Sequence, residues 1–319
     1  MSNSKSTFGK SAYGGDGWVP RQLEHRDEIG SIWAPYRVSN EWSDLKAVLL
    51  HRPGPELISA QNDPEAALML EKLDLELAQQ QHDTIAEIYR LNDVVVHFVE
   101  PDQHNYPNLM FCADLLAMTP EGAILARPAG QVRSGEERWV AQRVVDLGIP
   151  ILRTLTGSAV FEGADLMWLD KSTAIIGRGH RTNQAAIDQI TTTLNEIGRD
   201  VIAADLPYGT MHFMGMLRIA DKDLAFCWPR RTPVSVVNAL KDRGYQIEFP
   251  PLADEPASYK AMNFVTLGPR KILLAAGLPQ FEDFFASFDI DIQTTEIDEL
   301  SKAAGNVGCL TSILSRDHS

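Results

Sequence analysis

A repeat with a period near fifty residues is the feature of this sequence that most limits its fold. From residue 114 onward, one unit recurs: an apolar strand, a tight turn, a second apolar strand, an amphipathic helix and a short strand. Self-similarity at a fixed period indicates a closed or stacked repeat architecture. The predicted turns fall at 119–122, 170–172, 221–223 and 268–270, and the predicted helices at about 133–147, 184–197, 232–243 and 279–287.

A fifth copy of the unit is split between the two ends of the repeat region. Residues 309–314 supply one strand and residues 45–50 its hairpin partner, while a helix within 64–92 and a strand at 94–99 complete the copy. A split copy implies a closed ring of five. We therefore predict an α/β fold, a five-bladed, pseudo-fivefold α/β propeller of ββαβ modules. It forms a single domain over 41–319, preceded by an N-terminal tail or lid at 1–40.

The charge of the chain restricts its partners. The 319 residues carry a formal net charge of −14, which argues against nucleic acid and anionic membranes because both require a basic surface. A small cationic substrate fits this charge better. No apolar run is long enough to cross a bilayer and no signal peptide is evident, so we expect a cytoplasmic protein, with a homo-oligomer left open.

The cysteines and histidines do not indicate a metal or cofactor site. Cys112, Cys227 and Cys309 are too few for a disulfide framework and too scattered for a zinc cluster. Neither a His-Glu-x-x-His nor a Cys-x-x-Cys pattern occurs in the sequence. We therefore expect free thiols, no metal and no cofactor.

Polar residues recur just before the first strand of successive units, and this spacing predicts where the chemistry lies. Their intervals are 48, 50, 51 and 46 residues. Equivalent positions in a pseudo-fivefold ring converge at one mouth of the central axis, so residues far apart in sequence become neighbours. The set comprises Asp114, Glu162 with Asp165, His212, Asn263 and Cys309.

These residue types suit nucleophilic catalysis. A thiolate attacks, an imidazole protonates the leaving amine and later activates water, and a carboxylate holds the imidazole. Attack at a guanidinium carbon also requires that the cation be fixed and kept charged, which acidic side chains achieve. Asp114 and Glu162 can supply that function beside Cys309 and His212.

Several short motifs, in order along most of residues 44–315, resemble the guanidino-group modifying superfamily. This superfamily includes arginine deiminases, dimethylarginine dimethylaminohydrolases and amidinotransferases. The resemblance implies their five-bladed α/β propeller, the pentein fold. The motifs are Asn108-Leu-Met-Phe-Cys-Ala-Asp114, Phe161-Glu162-Gly163-Ala164-Asp165, Gly179-His-Arg181-Thr-Asn183, Met211-His212 and Gly308-Cys309-Leu-Thr311.

The resemblance also implies a role for each matching residue. Cys309 is the nucleophile, His212 the general acid and base, and Glu162 the support of both the imidazole and the guanidinium. Asp114 binds guanidinium nitrogens. The remaining matches are Asn108, Arg133 and Arg181, which hold the amino-acid end of the substrate in the deiminase branch, and Asp165, which has a supporting role in the same motif.

Two departures from the deiminase pattern bear on the substrate. Met214 stands where deiminases and amidinotransferases carry the acid of His-x-Asp, and residues 303–306 contain no arginine before the cysteine. We expect Met214 to face the substrate, which is either a substituted, more apolar guanidine or a compound with a different tail. The function we favour is that of a hydrolase whose reaction forms an amidino-cysteine adduct. The alternatives are an amidinotransferase, which passes the amidino group to an amine, and a non-catalytic binder of cationic amino acids.

Overall fold

The computed structural model describes residues 7–60, 62–103 and 105–318. In this part of the chain, fifteen strands form five three-stranded sheets, which are the blades of the fold. The strands are β1 Leu45–Leu50, β2 Val95–Phe98, β3 Leu116–Thr119, β4 Gly122–Leu125, β5 Ile151–Thr154, β6 Leu166–Trp168, β7 Thr173–Arg178, β8 Asp200–Asp205, β9 Leu217–Asp221, β10 Leu224–Cys227, β11 Gln246–Glu248, β12 Val265–Gly268, β13 Lys271–Ala275, β14 Asp291–Thr295 and β15 Ser312–Arg316.

The helices cross from the middle strand of a blade to its outer strand or occupy the connections between blades. Side-chain caps fix several of their starts; Asp74 and Asn183, for example, accept from the backbone N–H groups of Leu77 and Ala186. The α-helices are α1 His25–Glu28, α2 Glu56–Ala60, α3 Leu75–Leu91, α4 Glu137–Asp146, α5 Gln184–Glu196, α6 Val234–Lys241, α7 Glu255–Ala261, α8 Pro279–Ala286, α9 Asp298–Ser301 and α10 Val307–Leu310.

All five blades share one topology. In each blade the first two strands form an antiparallel pair, and the third strand lies parallel to the middle strand after a helical crossover. In the split blade, β15 pairs antiparallel with β1, and β1 pairs parallel with β2. Each blade is therefore a ββαβ module, as predicted.

Neighbouring blades contact each other through their first strands and the turns before them. β15 contacts β3, β3 contacts the turn before β6, and β6 contacts the turn before β9. β9 then contacts β12, and β12 contacts β1 of the split blade, which closes the ring. The predicted five-bladed α/β propeller is confirmed.

Apolar side chains fill the space between the strands and their covering helices. Phe226 on β10 packs edge to face against Phe285 on α8, with ring centroids 4.9 Å apart, and Phe264 joins them. All three rings are fully buried. The blades of β10 and β13 therefore share one continuous core.

Three element predictions need correction. The helix predicted from 133 begins as α4 only at Glu137, after a separate turn at Gln131–Arg133. The predicted strand 309–314 is in fact α10 followed by β15, because Asn306 caps a helical turn at Val307 and extended backbone begins only at Ser312. The sequence reading also missed α7, which lies between β11 and β12.

The segment before β1 runs along the blade of β3–β5. His25 Nε2 lies 2.9 Å from the carbonyl oxygen of Glu121, and the backbone N–H of Val38 donates to Thr119. No residue from 7–40 is among those that line the cavities around Cys309 and His212. Residues 1–6 lie outside the described residues, and the division into a tail at 1–40 and a domain at 41–319 stays a prediction.

The longest helix in the described residues, α3, has 17 residues and is amphipathic. None of the helices described there combines enough length and apolar character to span a bilayer.

Candidate active site

A short helical turn precedes the first strand in four of the five blades. These turns are Cys112–Asp114, Gly163–Asp165, Phe213–Gly215 and α10. The turns of successive blades contact one another at one end of the ring. Polar residues on or beside the turns are therefore brought together, although about fifty residues separate them in sequence.

The sulfur of Cys309 is held by two side chains from the neighbouring blade. Asn263 Nδ2 donates to Sγ over 3.2 Å, while Asn263 Oδ1 accepts from the backbone N–H of Cys309, also over 3.2 Å. The hydroxyl of Tyr259 on α7 lies 3.5 Å from the same sulfur. Cys309 is 3% exposed. The thiol is therefore positioned by an amide clamp and buried beside a phenol.

The environment of Cys309 opposes ionisation of the Cys309 thiol. Burial, and then the nearby Asp114 carboxylate, raise the pKa of the Cys309 thiol, although hydrogen bonds from its neighbours partly offset this. Buried Arg218 donates from Nε to the carbonyl oxygen of Met262, and its Nη2 has no hydrogen-bond partner among the described residues. Its guanidinium interacts electrostatically with Cys309.

His212 and Glu162 form a buried ion pair. His212 Nε2 lies 2.6 Å from Glu162 Oε2 and 3.7 Å from Asp114 Oδ1. Burial alone would lower the pKa of His212, but the charge of Asp114 and the hydrogen bond that His212 donates to Glu162 raise it to about 9. Burial opposes ionisation of Glu162, yet its contacts with His212, Arg133 and Arg181 lower its pKa to about 2. The imidazole is therefore protonated at neutral pH.

Asp114 has one carboxylate oxygen bound and one unbound. Arg133 Nη1 donates to Asp114 Oδ2 over 2.6 Å, whereas Asp114 Oδ1 is buried without a hydrogen bond among the described residues. Arg133 is itself buried and also pairs with Glu136 over 2.8 Å. The guanidinium of Arg133 is thus fully engaged with carboxylates, and one oxygen of Asp114 remains for a further donor.

The two other residues predicted to hold the amino-acid end line the same small cavity as Cys309 and Asp114. Asn108 is buried and donates from Nδ2 to the carbonyl oxygen of Ala67. Arg181 pairs with both oxygens of Glu162 at 3.2 and 3.3 Å, and its side chain keeps 20% exposure. Arg181 is therefore the more accessible of the two predicted arginine contacts.

A segment between α2 and α3 covers this cavity. The backbone N–H groups of Leu70 and Glu71 both donate to the carbonyl oxygen of Lys302, at 2.8 and 3.0 Å. Leu68, which lines the cavity, has a φ of +61°, a left-handed conformation that is unfavourable for leucine. Two backbone hydrogen bonds thus tie residues 70 and 71 to residue 302.

Two cavities meet at the site. The smaller, of about 20 Å³, contains Cys309 and Asp114, and the larger, of about 690 Å³, is lined in part by His212 and Tyr259. They share three wall residues, namely Met211, Ala304 and Gly305. The sulfur and the imidazole therefore lie in adjoining compartments at the same end of the ring.

Asp165 and Met214 do not line the two cavities around Cys309 and His212. Asp165 is fully buried and accepts from Thr182 Oγ1 over 2.6 Å and from the backbone N–H of Phe213 over 2.8 Å, so its oxygens hold the turn after His212. Met214 lines axial cavities with Arg218 instead of the cavities of Cys309 and His212.

The sequence reading gave no role to three residues around the sulfur. Asn263 was found by its spacing, and its clamp on Cys309 emerges only from the geometry. Tyr259 lies on the unpredicted α7, and Arg218 lies inside strand β9, where a charged residue flanked by apolar neighbours was the available signal.

Asp114, Glu162 and His212 place three ligand atoms within 4.8 Å of one another, a spacing that a metal ion could use. In the structure these groups instead contact each other and the guanidinium of Arg133, which lies 3.6 Å from Glu162. Asp114 and Glu162 therefore already stabilise one planar guanidinium group, that of Arg133.

Comparisons with known proteins show which proteins this chain is similar to. A relative from Streptomyces coelicolor, an N(G),N(G)-dimethylarginine dimethylaminohydrolase, is 25% identical over 275 residues, which cover 83% of this chain and 96% of that protein. Two solved structures have the same fold. One is the dimethylarginine dimethylaminohydrolase of Pseudomonas aeruginosa in complex with citrulline (20% identity, TM-score 0.71, 86% of this chain and 100% of that one). The other is the amidinotransferase SxtG from Microseira wollei (14% identity, TM-score 0.71, 90% and 98%).

The expected membership of the guanidino-group modifying superfamily is thus confirmed. The family model described as "N,N dimethylarginine dimethylhydrolase, eukaryotic" matches residues 59–222, just over half of the chain. The matched region includes Asp114, Glu162 and His212. The protein belongs to the N,N-dimethylarginine dimethylhydrolase family.

Proposed function

We propose that the protein is a cysteine-dependent hydrolase of the guanidino group of a substituted, arginine-like compound. The observation that carries the proposal is the unbound Oδ1 of Asp114, which lines the same cavity as the sulfur of Cys309 and lies 3.7 Å from His212. A guanidinium bound to this oxygen would present its carbon to the thiol and its departing nitrogen to the imidazolium. The family match supports the same reaction class.

In the first half-reaction, the substrate cation offsets the charge of Asp114, the nearby charge that raises the pKa of Cys309. The thiol gives its proton to solvent water, and the thiolate sulfur attacks the guanidinium carbon to form a tetrahedral adduct. Protonated His212 gives its proton to the departing nitrogen, the C–N bond breaks, and an amine leaves. An amidino group remains on Cys309.

In the second half-reaction, neutral His212 removes a proton from water, and the hydroxide oxygen attacks the amidino carbon. The C–S bond then breaks and returns the thiolate. The products are a ureido compound and an amine, so that one guanidinium cation and one water give one neutral urea and one ammonium cation. Glu162 stabilises the imidazolium each time it forms, because it lies 2.6 Å from Nε2.

We further propose that the enzyme works in the cytoplasm on a small cationic guanidine and that residues 41–319 act as one catalytic domain. The net charge of −14 supports a cationic substrate and argues against a nucleic-acid partner. We propose no oligomeric state.

A guanidine substrate panel tests the proposal. Arginine, its methylated derivatives and agmatine would be incubated with the protein, with assays for ureido product, released amine and the mass of any adduct on Cys309. We expect turnover of at least one substituted guanidine and its loss in Cys309→Ser, because a hydroxyl is a much weaker nucleophile at neutral pH. Near wild-type turnover by Cys309→Ser, or no turnover of any guanidine, would contradict the proposal.

An amidinotransferase is the second candidate, because the cavity of about 690 Å³ beside His212 has room for an acceptor amine. The two reactions share the amidino-cysteine adduct and differ in the group that resolves it. Product formation that requires added glycine, lysine or another amine would favour transfer, whereas ureido product in buffer alone favours hydrolysis.

A further inference from the structure

The cavity beside His212 is far larger than a methylated guanidino group requires. Its volume of about 690 Å³ falls within the range of about 300–1,000 Å³ that is usual for pockets that hold whole small molecules. The compartment of Cys309 measures only about 20 Å³. Most of the open space at the site therefore lies beside His212, and little of it lies beside Cys309.

The geometry of His212 indicates which part of a substrate would occupy this space. Nε2 is bound to Glu162, so Nδ1 is the nitrogen left to exchange a proton with a reacting group. Nδ1 is buried without a hydrogen-bond partner among the described residues. His212 lines the large cavity and does not line the small one. The open space beside His212 is therefore the large cavity.

The walls of the cavity favour an apolar group. Met211, Met216 and Tyr259 contribute apolar surface near His212, and Trp228 continues it. The guanidinium of Arg231 stacks over the ring of Trp228, with Cζ 4.9 Å from its centroid, and pairs with Glu255. The charge on Arg231 is therefore compensated within the wall, and the aromatic surface beside it suits an aryl or alkyl chain.

We propose that the large cavity receives the amine released from the guanidino carbon, and that this amine carries an aryl or alkyl substituent larger than two methyl groups. The inference rests on the proposed hydrolysis and specifies its substrate class: an N-substituted guanidine whose bulky substituent lies on the departing nitrogen. The guanidinium itself binds at Asp114 in the small cavity.

The test compares two arginines that differ only in the departing amine: Nω,Nω-dimethylarginine and Nω-(2-phenylethyl)arginine. For the wild-type protein we expect kcat/KM for the phenylethyl compound to be at least tenfold higher. Ser301→Trp places an indole in the large cavity, because Ser301 lines that cavity and not the small one. This variant is expected to lower the ratio of the two kcat/KM values at least tenfold, whereas Ser287→Trp, at an exposed position after α8, leaves the ratio unchanged.

The outcomes separate the inference from the proposed function. Turnover of dimethylarginine without turnover of the phenylethyl compound by the wild-type protein would overturn the inference alone, and this result does not depend on the folding of any variant. An equal fall in kcat/KM for unsubstituted arginine and the phenylethyl compound in Ser301→Trp would place the amino-acid end in the cavity and overturn it as well. No turnover of any guanidine would overturn the proposed function and the inference together.

Discussion

The reactivity of Cys309 depends on two neighbours with opposite effects. Asp114 raises the pKa of the thiol, and the amide N–H of Asn263 donates to its sulfur over 3.2 Å. Asn263→Asp replaces that donor with a second carboxylate. We expect the pKa of Cys309 to rise, because like charges disfavour ionisation. The pH dependence of Cys309 alkylation by 2-chloroacetamidine, followed by mass, measures this shift.

Asn195→Asp is the matched control, because it makes the same change on the exposed surface of α5. Its alkylation profile should overlay that of the wild-type protein. A profile for Asn263→Asp that also overlays the wild type would show that the amide does not influence the thiolate.

The pKa of His212 sets an alkaline limit on activity. With a pKa of about 9, the imidazolium is available as an acid below that pH and is lost as the pH rises through it. Glu162→Gln removes one of the charges that raise this pKa, so the alkaline limb of kcat/KM should move to lower pH. An unmoved limb in Glu162→Gln would exclude His212 as the group that titrates there.

The same shift affects stability, with a defined sign. A pKa of about 9 in the folded protein, against 6.5 as the ordinary value, means that ionised His212 stabilises the fold fully below about pH 6.5. This contribution declines as the pH rises through 9. The free energy of unfolding, measured from pH 6 to pH 10, should fall more steeply in the wild type than in Glu162→Gln.

The sequence predicts single residues well where they follow the repeat. Regular intervals identified Asp114, Glu162, His212 and Cys309, because equivalent positions in a ring must meet. The contact partners could not be predicted in this way. The pairing of Arg133 with Asp114 and Glu136, for example, depends on side-chain directions that spacing does not encode.

Among the elements, the long amphipathic helices and the hairpins were predicted close to their observed bounds, while short elements were not. α10 has four residues, too few for a periodic apolar pattern, and it is defined by the Asn306 cap. Its Gly308 is required by close approach, because a Cβ there would lie 2.5 Å from Asn263 Oδ1. Such a steric requirement appears only once the neighbouring blade is in place.

The helix α7 shows a second limit on prediction. It has seven residues and begins at a proline-containing turn capped by Asp254. The sequence analysis assigned no element to residues 255–261, because a helix of only one or two turns gives little hydrophobic periodicity. Yet α7 places the hydroxyl of Tyr259 3.5 Å from the sulfur of Cys309 and provides one wall of the large cavity.

For the whole molecule, the stability of the ring should depend on the strand that closes it. Leu314 lies in β15, is fully buried and packs in the core shared with β3 and β4. Leu314→Ala should reduce the free energy of unfolding by about 2–5 kcal/mol.

Because each blade contacts two others, we expect one transition in urea, with the same midpoint by circular dichroism and by tryptophan fluorescence. Leu91→Ala, at a position 74% exposed at the end of α3, should change the midpoint little.

The ring itself was predictable because the repeat and its split copy constrain each other. Five units with one divided between distant segments have only one compact arrangement, a closed circle. The residues outside the repeat, 7–40, carry no such constraint, and their path along the blade of β3–β5 could not have been derived from the sequence.

The division of the first blade between β1 and β15 also bears on biosynthesis. β1 leaves the ribosome early, but its antiparallel partner follows more than 260 residues later, a delay on the order of tens of seconds at typical elongation rates. Cys309 precedes that last strand by only three residues. A nascent chain therefore acquires Cys309 and its final strand at almost the same moment, and products of premature termination before residue 309 would lack the thiol that we propose as the nucleophile.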